Sequence, residues 1–434
     1  MKTIGRVNSF GARLGTQTAE PGLTYTLNPC VITEGSAWYN PMTGEAVVVE
    51  DPKKDFTKLI QKWFFVPQNF DIKSMTHWIR QKTLADTASV GRTPKTSYTI
   101  FTTTACNASC SYCFEKGMET ITMSDKTAED VADYIIKTRN RNVMTTLKWF
   151  GGEPLVNMRA MDIISERLNR ELIAYRGEIT TNGSLLDKVP DGSMVDKWRL
   201  KNVQLTLDDI GSGYGEYKGL DDKAYDQLKE QMQRLSGLGV HVAVRIHFHP
   251  EKGLEPCFRI VDDLKDIKNL SMYARIIYKS ESVEDYERLL ELEDYMVKRG
   301  KYSYSFPKRG GGVHCMADNR RIACITPLGE LSPCEHYAYG EVYGSIYDGE
   351  VDREMLAEWK AREKHLCADC ESCKLYPLCE KILMCPAEGN CLKGYVWYQV
   401  EEIRRALREA AKKNGIKELH GATQEELAAM CGIC

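Results

Sequence analysis

The hydrophobic rhythm of the chain changes three times. Between residues 31 and 50, runs rich in Val, Ile, Trp and Tyr flank Asn40-Pro41-Met42-Thr43-Gly44, which predicts two strands joined by a turn. Two helical patterns follow, Asp55 to Phe64 and Asp71 to Lys82, with Asp71 placed as an N-cap. From Thr96 to about Ser280, strand-like and helix-like segments alternate, as in parallel βα units. Strands are predicted at 97–103, 145–150, 178–181, 203–208, 240–249 and 272–278. Between them, Leu228, Met232 and Leu235 recur at i, i+4 and i+7 in a helix that Gly237 and Gly239 stop. Six such units fit a partial (β/α)6, TIM-like barrel of the α/β class. A last amphipathic helix runs from Tyr395 to Lys413. The pattern divides the chain into a small N-terminal unit (1–95), the barrel (96–305), a cysteine-rich unit (306–400) and a helix with a tail (401–434).

Two strands mark the site. In Val240 to His249, Val242, Val244, Ile246 and Phe248 share one face, and His241, Ala243, Arg245, His247 and His249 the other. In Val203 to Asp208, the apolar Val203, Leu205 and Leu207 oppose Gln204, Thr206 and Asp208. Strands packed on both sides would be apolar on both, so a polar inner face implies a lumen that holds a polar ligand. His247 and His249 could share a metal, but no carboxylate or thiolate lies nearby in sequence to complete the site; ligand contact or lumen packing is the preferred reading. Gly211-Ser212-Gly213-Tyr214-Gly215 lacks the spacing and the following helix of a dinucleotide fingerprint and reads as a flexible loop.

Charge and composition narrow the class. With 58 basic and 61 acidic residues among 434, the net charge of −3 gives no pull toward nucleic acid. No apolar h-region opens the sequence and no apolar run approaches a membrane span, so a soluble, cytoplasmic protein with no membrane partner is expected. Sixteen cysteines in a reducing compartment point to metal binding rather than disulfides. Cys30 and Cys257 are isolated and read as small buried hydrophobes; three cysteines fall at 106–113, nine between Cys315 and Cys391, and two at 431 and 434. The terminal Cys431-Gly432-Ile433-Cys434 reads as a reduced tail, an electron relay or a metal site.

Cys106-x3-Cys110-x2-Cys113 supplies three thiolates, enough for three irons of a [4Fe–4S] cube, and leaves the fourth iron open to a ligand. A zinc knuckle would need a fourth ligand that the adjoining sequence does not offer. This loop is followed by Gly151-Gly152-Glu153-Pro154 after the second strand, Thr180-Thr181-Asn182-Gly183 at the third and Leu205-Thr206-Leu207-Asp208 at the fourth. In order and position these motifs resemble the radical S-adenosylmethionine (SAM) enzymes with a C-terminal SPASM extension. The resemblance implies that Cys106, Cys110 and Cys113 hold the SAM-binding cluster, whose open iron chelates the cofactor. It further implies that Gly151, Gly152, Glu153 and Pro154 meet the methionyl ammonium, with Asn182 nearby. Tyr112 would lie near the adenine, Thr206 and Asp208 would face the ribose, and Arg245 would pair with the carboxylate.

The second cysteine group is similar to the SPASM pattern, whose cysteines hold two auxiliary [4Fe–4S] clusters and bring the total to three. By that resemblance Cys315, Cys334 and Cys385 serve the first, with Cys324 as candidate fourth ligand, and Cys370, Cys373, Cys379 and Cys391 the second. Five residues rather than three separate Cys379 from Cys385, and Cys367 could replace Cys370 if the register slips. Two zinc-ribbon sites are the structural alternative.

SPASM-type enzymes mostly modify peptides. The N-terminal unit resembles the winged-helix leader-recognition elements (RRE-like) of ribosomal-peptide maturases, in which an edge strand accepts the leader; a structural cover for the barrel is the plainer reading. The leading expectation is a maturase that abstracts hydrogen from a ribosomally synthesised precursor peptide and installs a thioether or C–C cross-link, with an external donor such as flavodoxin or ferredoxin. Glu335, directly after Cys334, is placed to serve as its base. Tyr217-Lys218, Cys334-Glu335-His336-Tyr337 and Tyr376-Pro377-Leu378-Cys379 tilt the reading to peptides. Oxidation of a sulfatase Cys or Ser to formylglycine is the alternative, and a non-catalytic zinc-binding interaction protein the distant one.

Overall fold

The computed structural model describes residues 1–6, 14–75, 78, 94–277, 280, 282–307, 316, 321–337, 341–350, 352, 354–355, 373–375 and 393–420. Period-2 patterning builds the first unit. Strands β1 (Lys2–Arg6), β3 (Ile32–Glu34), β4 (Ala37–Asn40) and β5 (Glu45–Val48) form an antiparallel sheet in the order β1-β5-β4-β3. The turn falls where Asn40 and Gly44 predict it: the Met42 N–H donates to the Asn40 side-chain oxygen, and Gly44 takes a φ of 67°. The pattern predicts two strands over residues 31–50; a tight turn at Gly35-Ser36 makes three, and β1 adds a fourth.

Both faces of this sheet are covered, which is why its strands are apolar on both sides. Trp38 and Val47 pack against α1 (Pro52–Gln61) and a two-stranded ribbon, β2 (Tyr25–Leu27) with β6 (Phe65–Pro67). Asp51 caps α1, donating nothing and accepting the Lys54 N–H at 3.1 Å, with Pro52 opening the helix. Asp71 likewise accepts the Ser74 N–H at 3.0 Å; of the helix expected beyond it, residues 72–75 and 78 lie within the described residues.

The barrel is one continuous sheet. Six parallel strands follow in chain order: β7 (Ser97–Thr103), β8 (Thr145–Gly151), β9 (Tyr175–Thr180), β10 (Leu200–Leu207), β11 (His241–Phe248) and β12 (Leu270–Ile276). Helices α2 (Asp125–Thr138), α3 (Met158–Arg170), α4 (Gly211–Lys218), α5 (Ala224–Gly237), α6 (Glu255–Leu264) and α7 (Val283–Lys298) interleave with them or follow. On the far side of β7 the sheet continues with β13 (Ile322–Ile325), parallel, and then β14 (Glu330–Ser332), β15 (Gly344–Ser345) and β16 (Gly349–Glu350), antiparallel. The strip from β12 to β16 is therefore an open partial barrel.

Three of these strands begin three residues or so before the predicted start. β9 starts at Tyr175 and runs through Gly177, where a Cβ would lie 2.4 Å from the Trp198 carbonyl oxygen. Residues 211–218 correct the loop reading outright, since they form α4. Tyr214 supplies the reason: its ring is buried and its hydroxyl donates to the Asn182 carbonyl at 2.7 Å, while Gly215 lets the turn at Leu220-Asp221 come close. Gly219 ends the helix in the left-handed region.

The last helix, α8 (Lys393–Lys413), joins the two ends of the molecule. Ile403, Leu407 and Ala411 cover the second face of the N-terminal sheet, against Ile4, Ile32 and Tyr39. Its other side meets α7, where Tyr398 donates to Glu293 at 2.6 Å and Arg405 pairs with Asp294 at 3.1 Å. Among the described residues no helix is long and apolar enough to cross a membrane.

Two outcomes test this packing. Leu407→Ala should cost about 2–5 kcal/mol through the cavity it leaves, read as a lower midpoint in denaturant. Glu293 is fully buried, and burial with Glu402 beside it holds its carboxyl well above the ordinary 4.5. The folded state therefore holds this proton more tightly than the unfolded chain, and the stabilisation is lost as pH rises above about 4.5. Glu293→Gln should gain stability relative to the native chain between pH 5 and pH 8, and a difference independent of pH would refute the assignment.

Candidate active site

The C-terminal ends of the parallel strands carry the site, and glycine sets its closest approach. Gly151 ends β8 at a φ of 130°, and a Cβ there would sit 2.1 Å from the Thr103 carbonyl oxygen. A Cβ on Gly152 would sit 2.5 Å from the carbonyl oxygens of both Thr104 and Ala105. The two glycines thus let the second strand's loop lie on the backbone leading into Cys106, fixed by Gly152 N–H to Thr103 O at 3.1 Å and Glu153 N–H to Ala105 O at 2.9 Å.

Cys106, Cys110 and Cys113 are free thiols on this loop, Cys106 exposed and the other two partly so. The Ala108 N–H points at Cys106 Sγ from 3.4 Å and the Asn182 amide from 3.9 Å. Burial pushes the Cys106 and Cys113 thiols up. These donors suit a thiolate ligand, and three such thiols fit three corners of an iron–sulfur cube. Among the described residues no three His, Cys, Asp or Glu side chains converge on one ion, and thiolates that each take a separate iron need not converge.

Glu153 sits inside this arrangement with no exposed surface. Its carboxylate accepts from Leu155 N–H at 3.0 Å, Thr181 Oγ1 at 2.8 Å and Asn182 N–H at 2.8 Å. Burial carries its pKa up to about 7 against those donors. It ties the loops after β8 and β9 together, so what reaches the mouth here is the backbone of Gly151-Gly152 and the Asn182 amide. Asn182 also donates to Asn107 Oδ1 at 2.9 Å, which links the third strand's loop to the cysteine loop.

Across the mouth, Asp208 is also buried and accepts on every side. Tyr112 donates to it at 2.6 Å, His249 Nε2 at 2.9 Å and His247 Nδ1 at 3.1 Å, and Lys218 Nζ lies at 3.5 Å. Burial alone would raise this carboxyl, but the two histidines and Lys218 hold it far below the usual range. Burial pushes the Tyr112 phenol up, as does Asp208 beside it. Lys218 also donates to Tyr112 at 3.0 Å and to Thr206 Oγ1 at 2.7 Å. Asp208 and Thr206, read from sequence as ribose contacts, are thus occupied in holding Tyr112 and Lys218. In the sequence Lys218 is only a mark of peptide chemistry; its position at the last residue of a helix that holds three glycines gives no signal of its role.

Below the mouth the lumen is polar, as the inner faces of β10 and β11 imply. A cavity of about 140 Å³ is lined by Thr99, Lys148, Glu178, Thr180, Asn202, Gln204 and Glu335, among others. Thr99, Lys148, Glu178 and Asn202 are register neighbours on β7 to β10 and so form one layer. Gln204 accepts from Tyr273 at 2.9 Å. Arg245 makes no hydrogen bond among the described residues, and desolvation lowers its pKa. Glu335 reaches the cavity from a short turn, Glu335–Tyr337, beyond β14. Burial raises its carboxyl, opposed by Lys148 and Arg245.

Of the auxiliary cysteines, Cys324, Cys334 and Cys373 are described, whereas Cys315, Cys367, Cys370, Cys379, Cys385 and Cys391 lie outside the described residues, with Cys431 and Cys434. Cys324 is buried on β13 beside Phe101, and burial first, then Glu335 and Cys334, raise its thiol far above the ordinary value. Cys30 and Cys257 are buried thiols pushed up to about 12.

Residues 100–264 match the family model described as the Radical SAM superfamily. A GTP 3',8-cyclase of Clostridium perfringens (strain SM101 / Type A) is 23% identical over 297 residues, covering 61% of this chain and 90% of the relative. Among solved structures, Streptococcus suis SuiB bound to precursor peptide SuiA aligns with a TM-score of 0.52 at 15% identity, over 94% of this chain and all of that one. Native anSMEcpe with bound AdoMet and Cp18Cys peptide aligns with a TM-score of 0.53 at 16% identity, over 74% of this chain and all of that one. These likenesses establish a shared fold.

Gly152→Ala should prevent loading of four irons at the Cys106 loop, because backbone oxygens cannot yield as a side chain can. Gly237→Ala, where nothing among the described residues lies within 4 Å, is the control. Iron content and the absorbance of the reconstituted proteins measure this; equal loading of both would show that the contact is dispensable.

Proposed function

We propose that this chain, a radical SAM enzyme through residues 100–264, modifies a ribosomally synthesised precursor peptide, forming a thioether or C–C cross-link. The observation that carries the reading is Glu335: a side chain from the C-terminal extension enters the barrel cavity, directly after a cysteine assigned to an auxiliary cluster. A substrate radical formed in the lumen would thus have a proton acceptor and an electron acceptor on one short turn.

Cys106, Cys110 and Cys113 would hold the SAM-binding cluster, and the SPASM cysteines two auxiliary ones. Once bound, the cluster and SAM supply a 5′-deoxyadenosyl radical that takes hydrogen from an unactivated C–H bond. The chain's own residues orient the reactants. The Gly151-Gly152 backbone and Asn182 would face the methionyl end of the cofactor, and Arg245, desolvated and without a hydrogen bond among the described residues, would suit its carboxylate. Lys148, Asn202 and Gln204 hold the substrate's polar groups, and Glu335 takes the proton released when the substrate radical is oxidised.

The likeness to SuiB supports a peptide substrate over a small molecule, because its 94% coverage must take in most of residues 1–94. The leader would add to an edge of the N-terminal sheet, at β1 or β3, as in the winged-helix leader-recognition elements. A flavodoxin or ferredoxin would supply electrons, in the cytoplasm.

The test is anaerobic: the reconstituted enzyme receives SAM, reductant and candidate precursor peptides. Native protein should release 5′-deoxyadenosine, and a Cys106, Cys110 and Cys113 to Ala variant none. Loss of two hydrogens from a peptide, with fragmentation showing two residues joined, establishes the cross-link; formylglycine on a sulfatase peptide would instead establish the sulfatase-type reading. No 5′-deoxyadenosine from an iron-loaded protein sinks both. Glu335→Gln should keep 5′-deoxyadenosine formation within about threefold while peptide product falls by about 10²-fold or more, the scale of a lost general base.

A further inference from the structure

The turn after β9 holds Asn182 by its backbone on both sides. Its N–H donates to Glu153 Oε2 at 2.8 Å, and its carbonyl accepts the Tyr214 hydroxyl at 2.7 Å. Gly183 follows at a φ of 82°, and a Cβ there would lie 2.3 Å from a Leu228 methyl. With the backbone fixed, what the Asn182 side chain presents depends on its own torsions and on the two residues that touch its amide, Asn107 and Ser184. Asn107 directly follows Cys106, so this contact joins the cysteine loop to a turn 75 residues further along the chain.

One backbone donor settles the orientation of every group in the contact. A main-chain N–H can only donate, so the Ser184 N–H, 2.9 Å from the Asn182 amide, requires that the amide oxygen face it. The Asn182 nitrogen then points to the cysteine loop and donates to Asn107 Oδ1 at 2.9 Å. That leaves the Asn107 nitrogen to donate to Ser184 Oγ at 2.8 Å, and Ser184 Oγ passes its own hydrogen back to Asn182 Oδ1 at 2.7 Å. The three side chains close a ring in which each donates to the next. Hydrogen bonds linked in this way polarise one another, so opening the ring at any point weakens what remains. Both lone pairs of the Asn182 oxygen are taken by Ser184. The second hydrogen of its nitrogen lies outside the ring, and Cys106 Sγ is 3.9 Å from that nitrogen.

We propose that Asn107 and Ser184 are positioning residues for the cofactor, locking the Asn182 amide with its nitrogen, not its oxygen, turned toward Cys106 and the ligand of the open iron. The proposal rests on the radical SAM reading of the Cys106 loop and deepens it. A donor at this point suits a thiolate sulfur and a carboxylate oxygen of the bound ligand, whereas an amide oxygen there would repel both. Asn182 and Ser184 are half-buried and Asn107 is exposed, at a mouth open to water. An amide so placed would otherwise turn between its two edges, and ordering it would be charged against binding. The ring supplies that order before the ligand arrives. Asn107 and Ser184 act through Asn182 alone.

The measurement is the affinity of the anaerobic, reconstituted holoenzyme for SAM by isothermal titration, with iron content determined for each protein. Ser184→Ala and Asn107→Ala each open the ring, and each should weaken SAM binding by about threefold to tenfold, the scale of one net hydrogen bond. The double variant should bind no more weakly than the worse single one, because the second substitution finds no ring left to break. Ser184→Thr, which keeps the hydroxyl, should bind as the native protein does. In steady state the single variants should raise KM for SAM while kcat holds. Losses that multiply in the double variant, native affinity in both single variants, or a Ser184→Thr variant as weak as Ser184→Ala overturn the proposal. Where a variant loads less iron, the same cycle is read on iron content, since the ring also holds the residue beside Cys106, and multiplying losses overturn the proposal there too. An iron-loaded native protein that binds no SAM means that the radical SAM reading has failed, which is a separate result.

Discussion

A carboxylate taken wholly out of water must be held on all sides, and Asp208 is held by groups from three parts of the chain. Its cost of burial is met only while Tyr112, His247, His249 and Lys218 all stay in place. The cysteine loop has no regular structure between Thr103 and Asp125 and could not keep three thiols in register alone. The buried charge makes the loop's position a property of the barrel. Glu153 does the same on the opposite side, tying the loops after β8 and β9. Two buried carboxylates thus frame a mouth whose floor is polar and whose thiols are accessible.

The barrel was legible because its strands carry a strict period of two. Val203, Leu205, Leu207, Val242, Val244 and Ile246 are all fully buried, and Asn202 and Gln204, which alternate with the first three, line the lumen. Strand starts were less legible. At β9 the predicted strand omits Gly177, whose place is set by the Trp198 backbone beside it, and close approach leaves no mark in the local pattern. The glycine-rich segment 211–218 failed for a related reason: glycine's poor helix propensity was outweighed by the burial of Tyr214, a tertiary effect.

In the site, what the motifs named and what the geometry does part company in an informative way. Gly151 to Pro154, Asn182, Thr206 and Asp208, named by motif, all lie at the C-terminal ends of the parallel strands. The finer roles follow from partners that lie far apart in sequence. Asp208 and Lys218 are ten residues apart but meet Tyr112 roughly a hundred residues away, and no short pattern encodes that. Glu335 was singled out by adjacency to Cys334; its entry into the barrel depends on β13 and β14 extending the sheet past β7, which hydrophobic periodicity in two such short strands does not announce.

The seating of α8 on the N-terminal sheet bears on how the chain is made. Ile4, Ile32 and Tyr39 leave the ribosome more than 360 residues before the residues that cover them, Ile403 and Leu407. At about 5–20 residues per second, that apolar face waits on the order of tens of seconds for its cover. This sheet is thus completed only long after it emerges, and a nascent chain stalled before residue 403 would present a sticky sheet. Growth conditions that slow translation should therefore lower the yield of this protein more than they would for one whose N-terminal unit closes on itself.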